Sequence, residues 1–210
     1  MQLLGKLIIK SKDKIIQFLN EENTCRISSI DKEGFPQIIP MNFVFLNNSI
    51  YMHSHIKGEK IENIKRNSKV GFEVDKNLEF LPSYFFDPED ASLADTFYIS
   101  VVIKGEANLV RNNEEKVLAL NGLMEKYQPE GQYKPMSEDM EVLDATAVIK
   151  IIPKEMNGKY KIGQNMNKEK RTEVAMKIRD RNSKTARETL EIMGFVIDDD
   201  KLVMKKDVEW

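Results

Sequence analysis

The chain has 210 residues, 41% of them hydrophobic and 31% charged, with a formal net charge of −2. That length supports one large domain, or a domain with an appendage, around a core that needs no disulfide staples. The near-neutral charge gives no electrostatic reason to expect nucleic acid or an anionic membrane as a partner, and the single cysteine, Cys25, excludes an intramolecular disulfide framework and fits a reducing compartment.

At the start, the short apolar run of residues 1–10 is broken by Lys6 and followed by no small-residue cleavage site, so it does not read as a secretion signal. No uninterrupted apolar stretch approaches the roughly 20 residues needed to cross a bilayer, and the expectation is a cytoplasmic protein. Ser11-Lys12-Asp13-Lys14 ahead of Ile15, Ile16, Phe18 and Leu19 predicts a capped amphipathic helix. Strands are predicted over 24–30, 37–45 and 50–53, joined by the polar turns Asp31–Gly34 and Leu46–Ser49 as an antiparallel meander. Lys57 to Arg66 has Ile61 and Ile64 at helical spacing, and Lys69 to Val74 alternates as a strand.

Residues 75–95 then read as a long irregular stretch with Pro82, Pro88 and the cluster Tyr84-Phe85-Phe86. Loops of that length inside a domain are usually functional, and an aromatic lid over a ligand is one use for it. A strand is predicted over 97–110, with Gly105 as a bulge or bend. Asn112 opens a helix to Tyr127 that Gln128-Pro129-Glu130-Gly131 stops, and Ala145 to Ile152 is the last strand. Residues 167–193 are charged, with Val174, Ile178 and Leu190 at helical intervals and a break near Ser183. About six antiparallel strands with peripheral helices predict an α+β split or closed β-barrel. The expected division is a barrel domain over 1–166 and a helical extension over 167–210, packed on the barrel or on a dimer partner. No GxGxxG or GxxxxGK[ST] pattern occurs, which fits the absence of a doubly wound nucleotide fold.

The richest polar stretch is Tyr51–Lys60, which holds both histidines, His53 and His55, and runs from a strand through Gly58 into a helix. A lysine and free N–H groups at a helix start can cradle a phosphate. The same residues also read as a solvated helix start with Glu59 and Glu62 balancing the lysines. His53 and His55 share a strand face, but a metal site would need further ligands, so no metal is assigned. In Pro40-Met41-Asn42-Phe43-Val44-Phe45 one asparagine interrupts an apolar strand; if buried, it must find partners, and its amide could read the edge of a heterocycle. Met41 and Phe43 read more readily as core. Cys25 reads as a small buried hydrophobe, and the basic face of residues 168–181 is balanced by Glu169, Glu173 and Asp180.

In order, these pieces are the first helix, the strand Thr24–Ile30, Asp31-x-x-Gly34-x-Pro36, and Pro40-Met41-Asn42-Phe43-Val44. Ile50-Tyr51-Met52-His53-Ser54-x-x-x-Gly58-x-Lys60, the run Asn67–Val74, and Tyr98-x-Ser100-Val101-Val102-Ile103-x-Gly105 follow. Over residues 11–166 this order resembles the pyridoxamine 5′-phosphate oxidase-like split-barrel flavoproteins, nearest the branch with nitroimidazole-resistance proteins. Residues 158–165 resemble a late motif of the same group. The resemblance implies a six-stranded split barrel, FMN as cofactor and a homodimer with FMN at the subunit interface. It implies that His53, Ser54 and Lys60 hold the phosphate, with Gly58 allowing close approach. Pro40, Met41, Asn42, Phe43 and Val44 would lie along the ring system, through main chain and the Asn42 amide. Tyr51, Ser100 and Val101 join the cofactor set, as do Gln164 and Asn165, reaching across the dimer.

Two departures argue against vitamin B6 oxidation: Gly58-Glu59-Lys60 stands where those enzymes carry Ser-Arg-Lys, and the ending Lys205–Trp210 lacks their Arg-x-His motif. The function expected is an FMN-dependent oxidoreductase passing electrons from a reduced nicotinamide or another donor to a small flat acceptor. No acid–base residue is assigned. The alternative is a non-catalytic protein of the same fold that binds FMN or haem for sensing or storage.

Overall fold

The computed structural model describes residues 5–198 and 201–205. The tail set against the Arg-x-His motif therefore lies outside the described residues from position 206 on. The elements in chain order are β1 (Ile8–Ile9), α1 (Lys12–Glu21), β2 (Cys25–Ile30), β3 (Pro36–Met41), β4 (Val44–Leu46), β5 (Ser49–His55), α2 (Glu59–Arg66) and β6 (Lys69–Leu81). Then come β7 (Asp95–Leu109), α3 (Asn113–Tyr127), α4 (Val142–Ala145), β8 (Thr146–Lys161), α5 (Lys168–Arg181), α6 (Ala186–Ile192), β9 (Phe195–Asp198) and β10 (Lys201–Met204).

Eight strands form one antiparallel sheet in the order β3-β2-β6-β7-β8-β5-β4, with β1 attached to β8; β9 and β10 make a separate hairpin. The two ends of that path, β3 and β4, are consecutive pieces of one chain run, parted only by Asn42 and Phe43. Three Cα–Cα steps cannot span an open sheet, so the sheet curls back on itself, the fold of an α+β split barrel. The strand count exceeds the expected six for two reasons. The predicted strand 37–45 is broken at Asn42–Phe43, and residues 8–9 add a short strand against Gly158 and Lys159.

Two expectations need correction and a third gains a physical reason. The irregular stretch is shorter than 75–95, because β6 runs on to Leu81; two 3₁₀ turns, Ser83–Phe85 and Ala91–Leu93, occupy the remainder. Gly105, expected at a bulge or bend, has a further reason to be glycine. It sits in unbroken β7, and a Cβ there would lie 2.6 Å from Ile151 Cγ2 and 2.8 Å from the Ile152 oxygen. Close approach to β8 is what requires glycine. The end of the chain, expected as helical only, carries the β9–β10 hairpin after α6. The divided helix of 167–193 matches α5 and α6, with Asn182 at the C-cap in the left-handed region (φ 48°).

The chain forms two compact units: one of residues 13–74 and 101–157, the other of the segments up to Lys12, Asp75–Ser100 and from Gly158 on. In the first, α3 packs an apolar side (Ala119, Leu120, Leu123) with Val44, Tyr51 and Val148. Gly122 lies against Leu46; a Cβ there would meet Leu46 Cδ1 at 2.6 Å and turn that side chain aside. The β4–β5 turn is Asn47-Asn48, both at positive φ, the two-residue turn that matches strand twist. In the second unit, β1 pairs with the end of β8, and α5 is tied to the chain before it. Lys177 donates to the Phe85 carbonyl and Arg181 to that of Phe80 (2.7 Å). The buried carboxylate of Glu79 accepts from the hydroxyls of Ser183 (2.5 Å) and Thr185 (2.8 Å), so it fixes the α5–α6 turn.

Candidate functional site

The strand break at 42–43 arises because neighbouring groups are claimed elsewhere. Cys25 pairs with Met41, and its thiol donates to the Met41 carbonyl at 3.2 Å, which ends β3 against β2. Phe43 is fully buried; its ring meets Phe72 edge-on at 5.2 Å, and Lys126 Nζ lies 3.8 Å from its centroid. Its main chain is held by Tyr127. The Tyr127 hydroxyl accepts from the Phe43 N–H at 2.9 Å, and its single proton faces the carbonyls of Asn23 (2.5 Å) and Phe43 (3.1 Å).

Between these anchored neighbours Asn42 is exposed, contrary to the buried asparagine considered above. None of the hydrogen bonds among the described residues uses its main-chain N–H, its carbonyl or its side-chain amide. Met41, Phe43 and Val44 are core, so their side chains cannot face a ligand; Pro40 is exposed on edge strand β3. The Phe43 main chain, expected along the cofactor, is already taken by Tyr127.

Burial sets the electrostatics around this anchor. Desolvation pushes the Cys25 thiol up to about 12, which makes it an inert hydrophobe rather than a nucleophile. Desolvation also lowers Lys126 to about 8, although its Nζ donates to the Leu19 carbonyl at 2.9 Å. Burial raises the Tyr127 phenol. Sequence reasoning missed Lys126 and Tyr127, because Tyr127 and Phe43 are far apart in the chain and no local pattern links them.

In β5 the first four residues are buried, while His53 and His55 are exposed and Ser54 is half-buried. Tyr51 is buried 2% exposed; its hydroxyl donates to Glu115 (2.8 Å), which also holds Lys150 (2.6 Å). Burial, then the Glu115 carboxylate, raises the Tyr51 phenol, and the Lys150 bond lowers Glu115. Tyr51 therefore serves the core under α3, not an exposed cofactor face. The Ser54 hydroxyl donates to the His55 carbonyl (2.8 Å), and His55 Nδ1 accepts from the Lys57 N–H (3.1 Å). The chain then turns at Gly58, φ 138°, a region side-chain-bearing residues avoid. A Cβ at Gly58 would find nothing within 4 Å, so the approach is open. Gly58 caps α2 without a side chain, and the Glu59 and Lys60 N–H groups have no protein acceptor among the described residues. Neither Lys57 nor Lys60 has an ion-pair partner there. Among the described residues no three His, Cys, Asp or Glu side chains are grouped to hold a metal ion.

The remaining candidates behave differently. Along β7 every second residue from Phe97 to Ala107 is buried, so Val101 points into the core and half-buried Ser100 to the opposite face. In the second unit, the Gln164 amide accepts from the Ile162 N–H (2.9 Å) and donates to the carbonyls of Tyr160 (2.8 Å) and Lys6 (3.1 Å). Its role there is to tie the segment after β8; neighbouring Asn165 is exposed. The proposed aromatic lid is also corrected. Phe85 is buried and Phe86 lies under the Lys170 amine (5.2 Å), leaving Tyr84 as the exposed ring.

Residues 11–160 match the family model of pyridoxamine 5′-phosphate oxidase. Among solved structures, a candidate 5-nitroimidazole antibiotic resistance protein of Bacteroides thetaiotaomicron is 25% identical. The match covers 73% of this chain and 86% of that one at a TM-score of 0.62. A flavocytochrome of Azotobacter vinelandii shares the fold at 15% identity, TM-score 0.65, over 77% of this chain and 72% of its own. So does an FAD- and haem-binding protein of Mycobacterium smegmatis, at 12% identity and TM-score 0.60, over 71% of each chain. No curated protein matches the sequence.

Proposed function

The chain belongs to the pyridoxamine 5′-phosphate oxidase family, and from that premise we propose that it is an FMN-binding oxidoreductase. The observation that carries the reading is Asn42. An exposed residue with an N–H, a carbonyl and an amide all unclaimed among the described residues, between two anchored neighbours, matches the alternating acceptors and donors on the edge of a flavin ring. The second support is the turn at Gly58. Open space, two N–H groups at the start of α2 and the amines of Lys57 and Lys60, all without partners among the described residues, fit a phosphate. The residues present therefore fit FMN.

In this reading Lys60 and the α2 N–H groups hold the phosphate, with His53 and Ser54 at its side; the Ser54 hydroxyl must rotate away from the His55 carbonyl to donate. Asn42 fixes the ring edge, while the buried wall of Met41, Phe43 and Val44 keeps water from the strand behind it. When bound, FMN supplies reversible two-electron chemistry between a reduced nicotinamide or similar donor and a small flat acceptor; position and electrostatics are the protein's part.

The site is proposed to form in a homodimer. Edge strand β3 exposes Ile38 (63%) between Pro36 and Pro40, with Phe35 (68%) just before it. Such an apolar edge in water is a surface for a second copy to cover. Sedimentation of the FMN-loaded protein tests this, with a dimer expected and a monomer contradicting it. For the cofactor, isothermal titration with FMN should give saturable binding that Lys60→Ala weakens more than tenfold; equal affinities in both proteins would remove the phosphate cradle from the account.

A further inference from the structure

Asn42 can present its groups only because the peptide beside it is fixed, and the fixing comes from the end of α3. Tyr127 takes the Phe43 N–H at 2.9 Å and directs its proton to the Asn23 and Phe43 carbonyls, so one hydroxyl joins the α1–β2 connection to the strand break. Its neighbour Lys126 closes the same clamp. The Lys126 amine stands 3.8 Å over the Phe43 ring while donating to the Leu19 carbonyl near the end of α1 (2.9 Å), and 5.7 Å from the Tyr127 ring. Phe72 blocks the remaining edge of Phe43 at 5.2 Å.

A clamp this complete is more than the strand break needs for stability. The Phe43 ring is already buried among core residues, and a single acceptor would satisfy its N–H, whereas Tyr127 engages the N–H, the Phe43 carbonyl and the Asn23 carbonyl together. What the Tyr127 bonds add is direction: the Phe43 peptide cannot rotate, so the Asn42 carbonyl joined to the Phe43 nitrogen is aimed one way. That same peptide unit carries both the group bonded to Tyr127 and the acceptor offered to a ligand.

We propose that Tyr127, supported by Lys126, is a positioning residue for the flavin-binding strand: it sets the orientation of the Asn42–Phe43 peptide and through it the environment of the bound ring edge. This rests on the FMN reading given above. Tyr127 does not touch the cofactor; it acts through the peptide it holds.

The test is Tyr127→Phe, read by FMN titration, by the visible absorption bands and midpoint potential of the bound flavin, and by urea unfolding of the FMN-free protein. Loss of the hydroxyl should raise the FMN Kd about five- to tenfold, as removal of one well-placed hydrogen bond does. It should also shift the visible bands and the midpoint potential. Inorganic phosphate should compete as well against the variant as against wild type, because the turn at Gly58 is untouched. Should Tyr127→Phe not fold, Lys126→Met keeps the hydroxyl and removes the amine from the Phe43 ring; it should shift the same bands in the same direction by less. Wild-type bands and potential in a variant that has lost only stability would overturn the proposal and leave the FMN reading intact. A wild-type protein that takes up no FMN would overturn that reading and this proposal with it.

Discussion

The run Met41–Val44 and the turn His53–Lys60 lie in the same unit and are built in opposite ways. In the first, Cys25 holds the Met41 carbonyl, Tyr127, Lys126 and Phe72 hold Phe43, and β5 pairs with Val44, leaving Asn42 open. In the second, β8 holds His53 to His55 by the strand ladder, but the side-chain hydrogen bonds are local, Ser54 to the His55 carbonyl and the Lys57 N–H to His55. Lys57 and Lys60 stand without partners among the described residues. The first is suited to reading the edge of a flat ring, where misplacement by a fraction of an ångström matters. The second suits a phosphate, whose charge is met by any amine and N–H groups that can close around it.

That contrast can be broken by mutation. The largest effect is expected at Phe43→Ala, which empties a fully buried ring site and leaves the Lys126 amine over a cavity; urea unfolding should show a loss of about 3–5 kcal/mol. Little loss would mean the wall is not packed as described. Lys60→Ala should leave the unfolding midpoint in place yet cost roughly 1.5–3 kcal/mol of FMN binding. Adjacent to Phe43, Asn42→Ala should change stability by no more than ~0.5 kcal/mol and weaken FMN roughly fivefold. If Asn42→Ala and Phe43→Ala proved equally destabilising, the division between anchored wall and open reader would be wrong.

The smallest expected effect is on pH dependence. Lys126 has a folded pKa near 8, below its ordinary 10.5, so between those values the unfolded chain binds more protons and stability rises with pH. Cys25 acts with the opposite sign: its folded pKa near 12 exceeds its ordinary 9.0, so its contribution is lost as pH climbs above 9. The difference between wild type and Lys126→Met isolates the lysine. Melting scans at pH 7.5 and 9 should show wild type gaining on the variant at the higher pH, by an amount reduced through the amine's partial solvent exposure. A constant gap between the two proteins would show that Lys126 does not titrate in that range.

The fold was legible where the pattern was local. The meander, the helix starting at Asn112 and the division of the charged C-terminal run near Ser183 can all be read from caps, turns and periodicity. The break at Asn42–Phe43 could not be, because Pro40 to Phe45 looks continuous and the break is made by Tyr127 from another element. The length of β6 was hidden by Asp75-Lys76-Asn77, which look like a turn but continue the strand. For Tyr51, Val101 and Gln164 the motif order named the residue, but the side chain is turned to the core or spent on backbone groups. Which way a residue faces depends on register and neighbours, and a motif does not contain these.

The most direct test of the account is the visible absorption spectrum of the purified protein after incubation with FMN and removal of excess, with mass spectrometry of what heat releases. A bound flavin spectrum is expected, with release of about one FMN per chain. A protein that remains colourless and releases none would contradict it.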